Sequence, residues 1–168
     1  MDEKEYTISI LTEDRVGMIG KLVTVFTRRR TNIKSLTVAK TESTGVARFT
    51  IVAPMTDDAA RKTAAQLRKI VEVVGVTAYT EPETVQREIA FARVPADTND
   101  KAHTVWEVIM RYDARIVYAD RHSIVLEKTG VEDEITLFYE KLQPFGLLDF
   151  VRSGRIAISK ERSKGQQA

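Results

Sequence analysis

The sequence contains no cysteine and only two histidines. The missing cysteines exclude disulfides and thiolate metal sites. His103 and His122 fall in different predicted elements without clustered carboxylates, so we expect no metal on this chain. No window is apolar enough to cross a bilayer, and residues 1–5 lack the apolar core of a signal peptide. We therefore expect a cytoplasmic protein that does not contact a membrane.

Signatures of catalysis are also missing. The sequence has no G-x-S-x-G, no P-loop and no G-x-G-x-x-G. Glu13 and Asp14 form a carboxylate pair, but neighbours on a turn need not converge on one substrate atom. We expect that the isolated chain is not an enzyme.

The net charge gives no general attraction to nucleic acid, because 26 basic side chains are nearly balanced by 24 acidic ones. The run from Arg28 to Arg30 is the local exception. It has two interpretations: a phosphate or nucleic-acid patch, or cations in the last turn of a helix, where they complement its dipole. We favour the second and expect no nucleic-acid partner.

Hydrophobic periodicity divides the chain into two halves with the same order of elements. In the first half, strands are predicted at residues 6–12, 33–41, 46–53 and 73–79. A helix ending near Arg30 is predicted from Ile19, Leu22, Val23 and Phe26, which recur at i, i+3, i+4 and i+7. A second helix is predicted to begin after Thr56, with Ala60, Ala64, Leu67 and Val71 at helical spacing. The order is β-α-β-β-α-β.

The second half repeats this order after a break at Pro82. Strands are predicted at residues 87–94, 115–119 and 123–127, with a closing strand from 147–151 and 156–158. Helices are predicted from two apolar stripes: Val105, Trp106, Ile109 and Met110, then Val131, Ile135, Phe138 and Leu142. Trp106 and Met110 are expected in the core.

Two β-α-β-β-α-β units predict an α+β fold of two ferredoxin-like sandwiches. The expected domains are residues 1–80 and 86–158, with a linker at 81–85 and a flexible tail at 159–168. Helices cover one face of each antiparallel sheet, which leaves the other face or an edge for a partner. We therefore expect an oligomer.

A candidate binding site lies between the first strand and the first helix, at residues 13–18, with Asn32 and Ile33 after the helix. A glycine at the start of a helix, Gly17, lets a carboxylate approach unpaired backbone N–H groups, where the helix dipole favours an anion. Asp14 and Asn32 can hold an ammonium group. The pattern predicts a pocket for a small amino acid, and the alternative is structural: Asp14 caps the helix and Gly17 permits the turn.

Five segments carry a resemblance to a known family. They are Asp-Arg-Val-Gly at 14–17, Asn-Ile-Lys-Ser-Leu-Thr-Val at 32–38, Gln-Arg-Glu-Ile at 86–89, Gln-Pro-Phe-Gly at 143–146 and Val-Arg-Ser-Gly at 151–154. Together they resemble the small, regulatory subunits of acetolactate synthase (acetohydroxyacid synthase), over roughly residues 5 to 160. The first element alone is typical of any ACT domain, whereas the combination narrows the family sharply.

The resemblance implies an N-terminal ACT domain and a non-catalytic regulatory subunit. Such a subunit binds and activates the large catalytic subunit, and in many members confers feedback inhibition by valine in branched-chain amino acid biosynthesis. Thiamine diphosphate, magnesium and FAD belong to the large subunit, so no cofactor is expected on this chain. The resemblance also implies a homodimer of ACT domains, with the effector between Asp14, Gly17 and Met18 of one chain and Asn32 and Ile33 of the other.

Three positions depart from the family pattern. The family usually has asparagine at position 14, a smaller residue than Met18, and glycine before the Asn-Ile pair where Arg30-Thr31 stand. An ionised Asp14 only accepts hydrogen bonds, so it suits an ammonium group and opposes a carboxylate. Met18 is large and flexible and can fill space that a branched side chain would occupy. The effector therefore stays open between valine and another amino acid.

Two other functions are compatible with paired ACT-like domains. One is a free-standing amino-acid sensor without an enzyme partner. The other is a DNA-linked sensor, which needs a DNA-reading element for which the two sandwiches leave almost no length.

Overall fold

The computed structural model describes residues 3–96 and 102–161, with side chains undescribed at 102–104. The described residues form two compact units. The first contains residues 3–86 and 155–161, and the second contains residues 87–96 and 102–154. No described helix is long and apolar enough to cross a membrane.

The first unit has the predicted β-α-β-β-α-β order. Its elements are β1 (Lys4–Glu13), α1 (Met18–Arg28), β2 (Ser35–Lys40), β3 (Val46–Met55), α2 (Asp57–Leu67) and β4 (Val73–Tyr79). The strands lie in the order β2-β3-β1-β4, and every pairing is antiparallel. This arrangement confirms a ferredoxin-like sandwich with β2 at one edge.

The core of the first unit lies between this sheet and its two helices. Met18, Leu22 and Phe26 recur every four residues along α1 and are almost fully buried. Ile19, predicted on the same face, is 49% exposed, because the buried face is centred on Met18 instead. The second helix begins as predicted, with the Thr56 side chain accepting a hydrogen bond from the Ala59 N–H at 3.3 Å. It ends at Leu67, so Val71 lies beyond it and is exposed.

The second unit repeats the order. Its elements are β5 (Thr84–Pro95, whose first residues belong to the first unit), α3 (Ala102–Arg111), β6 (Arg115–Ala119), β7 (Ser123–Gly130), α4 (Glu132–Leu142) and β8 (Asp149–Arg152). The strands lie in the antiparallel order β6-β7-β5-β8. A 3₁₀ helix, Glu81–Glu83, occupies the predicted linker. The second ferredoxin-like sandwich is confirmed as well.

The predicted core positions on α3 are partly wrong. Trp106 is 52% exposed and Met110 is 79% exposed. The buried face is formed by Val105, Val108 and Ile109, which fit helical spacing equally well. Periodicity located the helix, but the choice between two adjoining faces depended on the sheet beneath it.

The end of the chain differs from the predicted single closing strand. After β8, a separate strand β9 (Ile156–Ser159) pairs with β5. The Lys160 N–H, directly after β9, donates to the Glu83 carbonyl, directly before β5, at 2.9 Å. Residues from Arg155 onward accordingly group with the first unit, whereas the expected second domain extended to residue 158. Of the expected tail, residues 162–168 lie outside the described residues.

Candidate functional site

A cavity of about 250 Å³ opens on the first unit where β1 leads into α1. Its lining residues are Glu13, Asp14, Arg15, Val16, Gly17, Met18, Ile19, Val38, Ala47 and Phe49. Three of the five predicted site residues, Asp14, Gly17 and Met18, therefore lie around one cavity. The cavity sits beside β2, the edge strand of the sheet.

Gly17 sets the geometry of the helix start. It is the N-cap of α1 with φ 87°, a left-handed conformation that favours glycine. A Cβ at this position would meet no heavy atom within 4 Å, so the backbone conformation and not crowding calls for glycine. In the part of the chain that the structure describes, no side chain caps α1. The alternative in which Asp14 caps this helix is therefore wrong, and the first-turn N–H groups lack a capping side chain.

Asp14 places a negative charge at the rim of the cavity. Its N–H donates to the Gly45 carbonyl at 2.8 Å, which holds the loop, and its carboxylate lies 3.0 Å from the Lys40 ammonium. The Lys40 side chain is 83% exposed, so this ion pair contributes little and can be exchanged. Arg15 is paired with Glu13 at 2.6 Å. The rim thus offers a carboxylate beside an uncapped helix start.

The walls of the cavity are apolar. Met18 is 2% exposed and belongs to the core of the unit, so it forms part of the floor. Ile19 and Val38 are about half exposed at 49% and 48%, and Val38 pairs with Phe49 across β2 and β3. Val38 and Phe49 were not predicted as site residues, because they come from strands distant in sequence. The sequence did contain a signal for them: Val38 and Phe49 are apolar residues on two strands that were predicted to form a hairpin.

Asn32 and Ile33 do not line this cavity. They precede β2, whereas Lys40, which contacts Asp14, ends it. At about 3.3 Å per residue, the distance from Ile33 to Lys40 is about 23 Å. A single chain therefore does not assemble all five predicted residues into one pocket.

The run of three arginines ends α1. Arg28 occupies its last turn, Arg29 is the C-cap and donates from Nε to Gln66 Oε1 at 3.2 Å, and Arg30 has φ 54°. A left-handed residue directly after the C-cap is the position where glycine is most common. Arg28 and Arg29 thus lie at the C-terminal end of α1, where cations complement the helix dipole.

Metal-binding groups do not cluster in the part of the chain that the structure describes. No set of three or more histidine, cysteine, aspartate or glutamate side chains there can hold an ion. His122 Nε2 accepts a hydrogen bond from Arg121 Nε at 3.0 Å. The His103 side chain lies outside the described residues.

Comparison with known proteins gives the same family over most of the chain. Residues 8–75 match the AHAS small subunit-like ACT domain, and residues 87–161 match the small subunit of acetolactate synthase. The probable acetolactate synthase small subunit of Archaeoglobus fulgidus is 33% identical over 160 residues, which is 95% of this chain and 99% of that protein. The acetolactate synthase small subunit of Mycolicibacterium smegmatis is 30% identical over 155 residues, with 92% and 91% covered.

A solved structure agrees with these sequences. The crystal structure of the acetolactate synthase small subunit from Thermotoga maritima matches with a TM-score of 0.86 and 26% identity, over 95% of this chain and 99% of that one. Catalytic activity in this family lies in the large subunit, so a catalytic partner is implied. Both domains match family models, and the relatives align with this chain over nearly their whole length. The chain therefore belongs to the family of small, regulatory subunits of acetolactate synthase.

Proposed function

We propose that this chain binds and activates the large, thiamine-diphosphate-dependent subunit in the cytoplasm and confers feedback inhibition by a branched-chain amino acid, with valine the first candidate. Thiamine diphosphate, magnesium and FAD belong to the large subunit in this proposal. The observation that carries it is the cavity beside β2, which combines an uncapped helix start, a rim carboxylate and apolar walls.

The effector fits this cavity in one orientation. Its carboxylate accepts hydrogen bonds from the first-turn N–H groups of α1 next to Gly17, where the helix dipole also favours a negative charge. Its ammonium group lies towards Asp14, which gives up an exposed contact with Lys40. Its aliphatic side chain packs on Ile19 and Val38, which are about half exposed.

A second copy of the chain completes the pocket. If β2 pairs with β2 of another copy, the strands run antiparallel and the Lys40 end of one lies beside the Asn32 and Ile33 end of the other. Asn32 and Ile33 of one chain then reach the cavity at Asp14 of its partner. The outer half of β2, from Val38 to Lys40, is exposed and available for this contact. The homodimer has two equivalent effector sites.

An effector between two ACT domains regulates by binding one arrangement of the dimer more tightly than another. Such couplings are typically about 1 to 3 kcal/mol, or about 5- to 150-fold in affinity. The catalytic subunit then binds a dimer whose preferred arrangement depends on the concentration of the effector amino acid.

The test is acetolactate formation by the cognate catalytic subunit, with and without this chain, and with valine, leucine or isoleucine added. We expect activation by the chain and inhibition by one of the three amino acids. No activation, together with no complex on gel filtration, would instead favour a free-standing sensor.

A matched pair of variants tests the pocket. Asp14→Ala removes the rim carboxylate, and Asp58→Ala removes an exposed carboxylate on α2 that pairs with Arg61 and Lys62. Calorimetric titration of the inhibiting amino acid should show weaker binding to Asp14→Ala only. Equal affinities in both variants would remove Asp14 from the site.

A further inference from the structure

The chain passes between its two units twice, and the second passage begins with a buried arginine. The crossings lie at Gln86–Arg87 and at Gly154–Arg155. Arg155 is only 5% exposed and lies in the first unit. Arginine is rarely buried to this extent unless it is paired, so its contacts show what this segment is attached to.

Arg155 is attached to two strands of the first sheet. Its guanidinium bonds to the Glu5 carboxylate at 2.5 Å and to the Thr7 hydroxyl at 3.1 Å, both on β1. Its main-chain carbonyl accepts the Thr37 hydroxyl of β2 at 2.9 Å. The side chain thus binds the central strand and the main chain binds the edge strand.

Glu5 extends this set of contacts to the start of β2. Its second carboxylate oxygen lies 2.6 Å from the Lys34 ammonium, and Lys34 directly follows Asn32 and Ile33. Burial raises the pKa of Glu5, but the hydrogen bonds from Lys34 and Arg155 outweigh it and hold the pKa below its ordinary value. The carboxylate is therefore charged at neutral pH and joins Arg155 to the segment that carries two proposed effector residues.

The residues after Arg155 are also anchored. Lys160 bonds through its N–H to the Glu83 carbonyl and through its ammonium to the Pro82 carbonyl, both at 2.9 Å. These carbonyls belong to the 3₁₀ helix just before the first crossing. The segment that returns from the second unit is therefore held at both ends on the first unit.

We propose that Arg155 is a positioning residue that couples effector occupancy at β2 to the C-terminal return segment, and through Gly154 to the second domain. This inference rests on the proposed function. A shift at the start of β2 acts on Glu5 through Lys34 and on the Arg155 carbonyl through Thr37. A buried, hydrogen-bonded charge does not readily exchange partners, so Arg155 moves with β1 and β2.

The decisive variant is Arg155→Met in the full-length chain, assembled with the catalytic subunit. Methionine keeps much of the aliphatic bulk and removes every guanidinium contact. Arg61→Met is the matched control, because Arg61 also pairs with a carboxylate, Asp58, but its side chain is 76% exposed on α2. For each variant we would measure activation without effector, residual activity at saturating valine, and valine affinity of the regulatory chain alone by calorimetry.

In Arg155→Met we expect activation without valine to persist and the dissociation constant for valine to change less than about twofold. The inhibition ratio, activity without valine over activity with saturating valine, should fall about fivefold or more towards 1, the scale of a typical allosteric coupling. Arg61→Met should match the unaltered chain in all three measurements. Arg155→Lys keeps a positive charge for Glu5 and should restore part of the inhibition.

If circular dichroism shows that Arg155→Met does not fold, a milder variant keeps the test decisive. Glu5→Gln retains the size of the side chain and removes the charge that joins Arg155 to Lys34. It should reduce the inhibition ratio in the same direction.

Three outcomes would overturn the coupling role. The first is unchanged inhibition in Arg155→Met or, if that variant does not fold, in Glu5→Gln. The second is a parallel loss of valine binding, which would make Arg155 a structural support of the pocket, and the third is an equal loss of activation without valine. If the unaltered chain responds to none of valine, leucine and isoleucine, the proposed effector function itself fails. That failure is visible before any variant is made.

Discussion

Replacing Gly17 by alanine tests whether the start of α1 forms the effector pocket. Gly17 has φ 87°, and an added Cβ would meet no heavy atom within 4 Å. The cost is therefore conformational and not steric. Placing a residue with a Cβ in the left-handed region costs about 1–2 kcal/mol, and the lower entropy of the unfolded chain returns part of it. We expect a net loss of about 1 kcal/mol, a fall of about 4–8 °C in the Tm of a domain of this size.

In Gly17→Ala, the affinity for the effector should decrease more than the stability of the fold. If the helix start rotates to relieve the strain, the effector carboxylate loses at least one charge-assisted hydrogen bond. Such a bond contributes about 1.5–3 kcal/mol, so affinity should fall about tenfold or more. Calorimetric titration with valine measures the affinity, and differential scanning calorimetry measures the Tm.

Gly146→Ala is the matched control for this prediction. Gly146 has φ 75°, and its added Cβ would meet only Pro95 Cγ at an ordinary 3.8 Å. The residue lies in the second unit. This variant should lose similar stability and keep its affinity for valine. The reasoning is refuted if Gly17→Ala binds valine as tightly as Gly146→Ala.

Three further predictions concern stability. Arg30→Gly should raise the free energy of unfolding by about 0.5–1 kcal/mol, because Arg30 has φ 54° after α1; a lower Tm would show that its side chain matters more than its backbone. Glu5 has its pKa lowered because hydrogen bonds from Lys34 and Arg155 outweigh burial, so its carboxylate stabilises the fold above the ordinary value of 4.5 and this contribution is lost as the pH falls through the folded-state pKa. The Tm difference between the unaltered chain and Glu5→Gln should narrow on acidification below pH 4.5, and a constant difference would contradict the assignment. Trp106→Gln should cost less than about 1 kcal/mol by chemical denaturation, because Trp106 is 52% exposed, and a loss of about 3–5 kcal/mol would place it in the core.

Local patterns in the sequence predicted the order of elements well. Alternating and helical periodicities report which side of a strand or helix is buried, and that information is contained in a short window. The helix start at Thr56 and the break at Pro82 likewise follow from local chemistry. The prediction failed at Trp106, where two adjoining helix faces carried similar apolar residues and only packing against the sheet chose between them.

The candidate site was predictable in part for a related reason. Asp14, Gly17 and Met18 are neighbours in one loop and helix start, so their proximity follows from the sequence. Val38 and Phe49 join them only through the register of β2 with β3. Asn32 and Ile33 lie at the other end of β2, which is why the proposed pocket needs a second chain.

The sequence by itself determined the two β-α-β-β-α-β units, the family, and the glycine that opens the first helix, because spacing and backbone preference are local properties. Only the tertiary structure decided which of two adjoining faces of α3 is buried, which strands line the cavity, and that Arg155 returns to Glu5 and Thr7 of the first unit. Those outcomes depend on pairing between residues more than a hundred positions apart, or between separate strands. Local periodicity carries no information about such pairing.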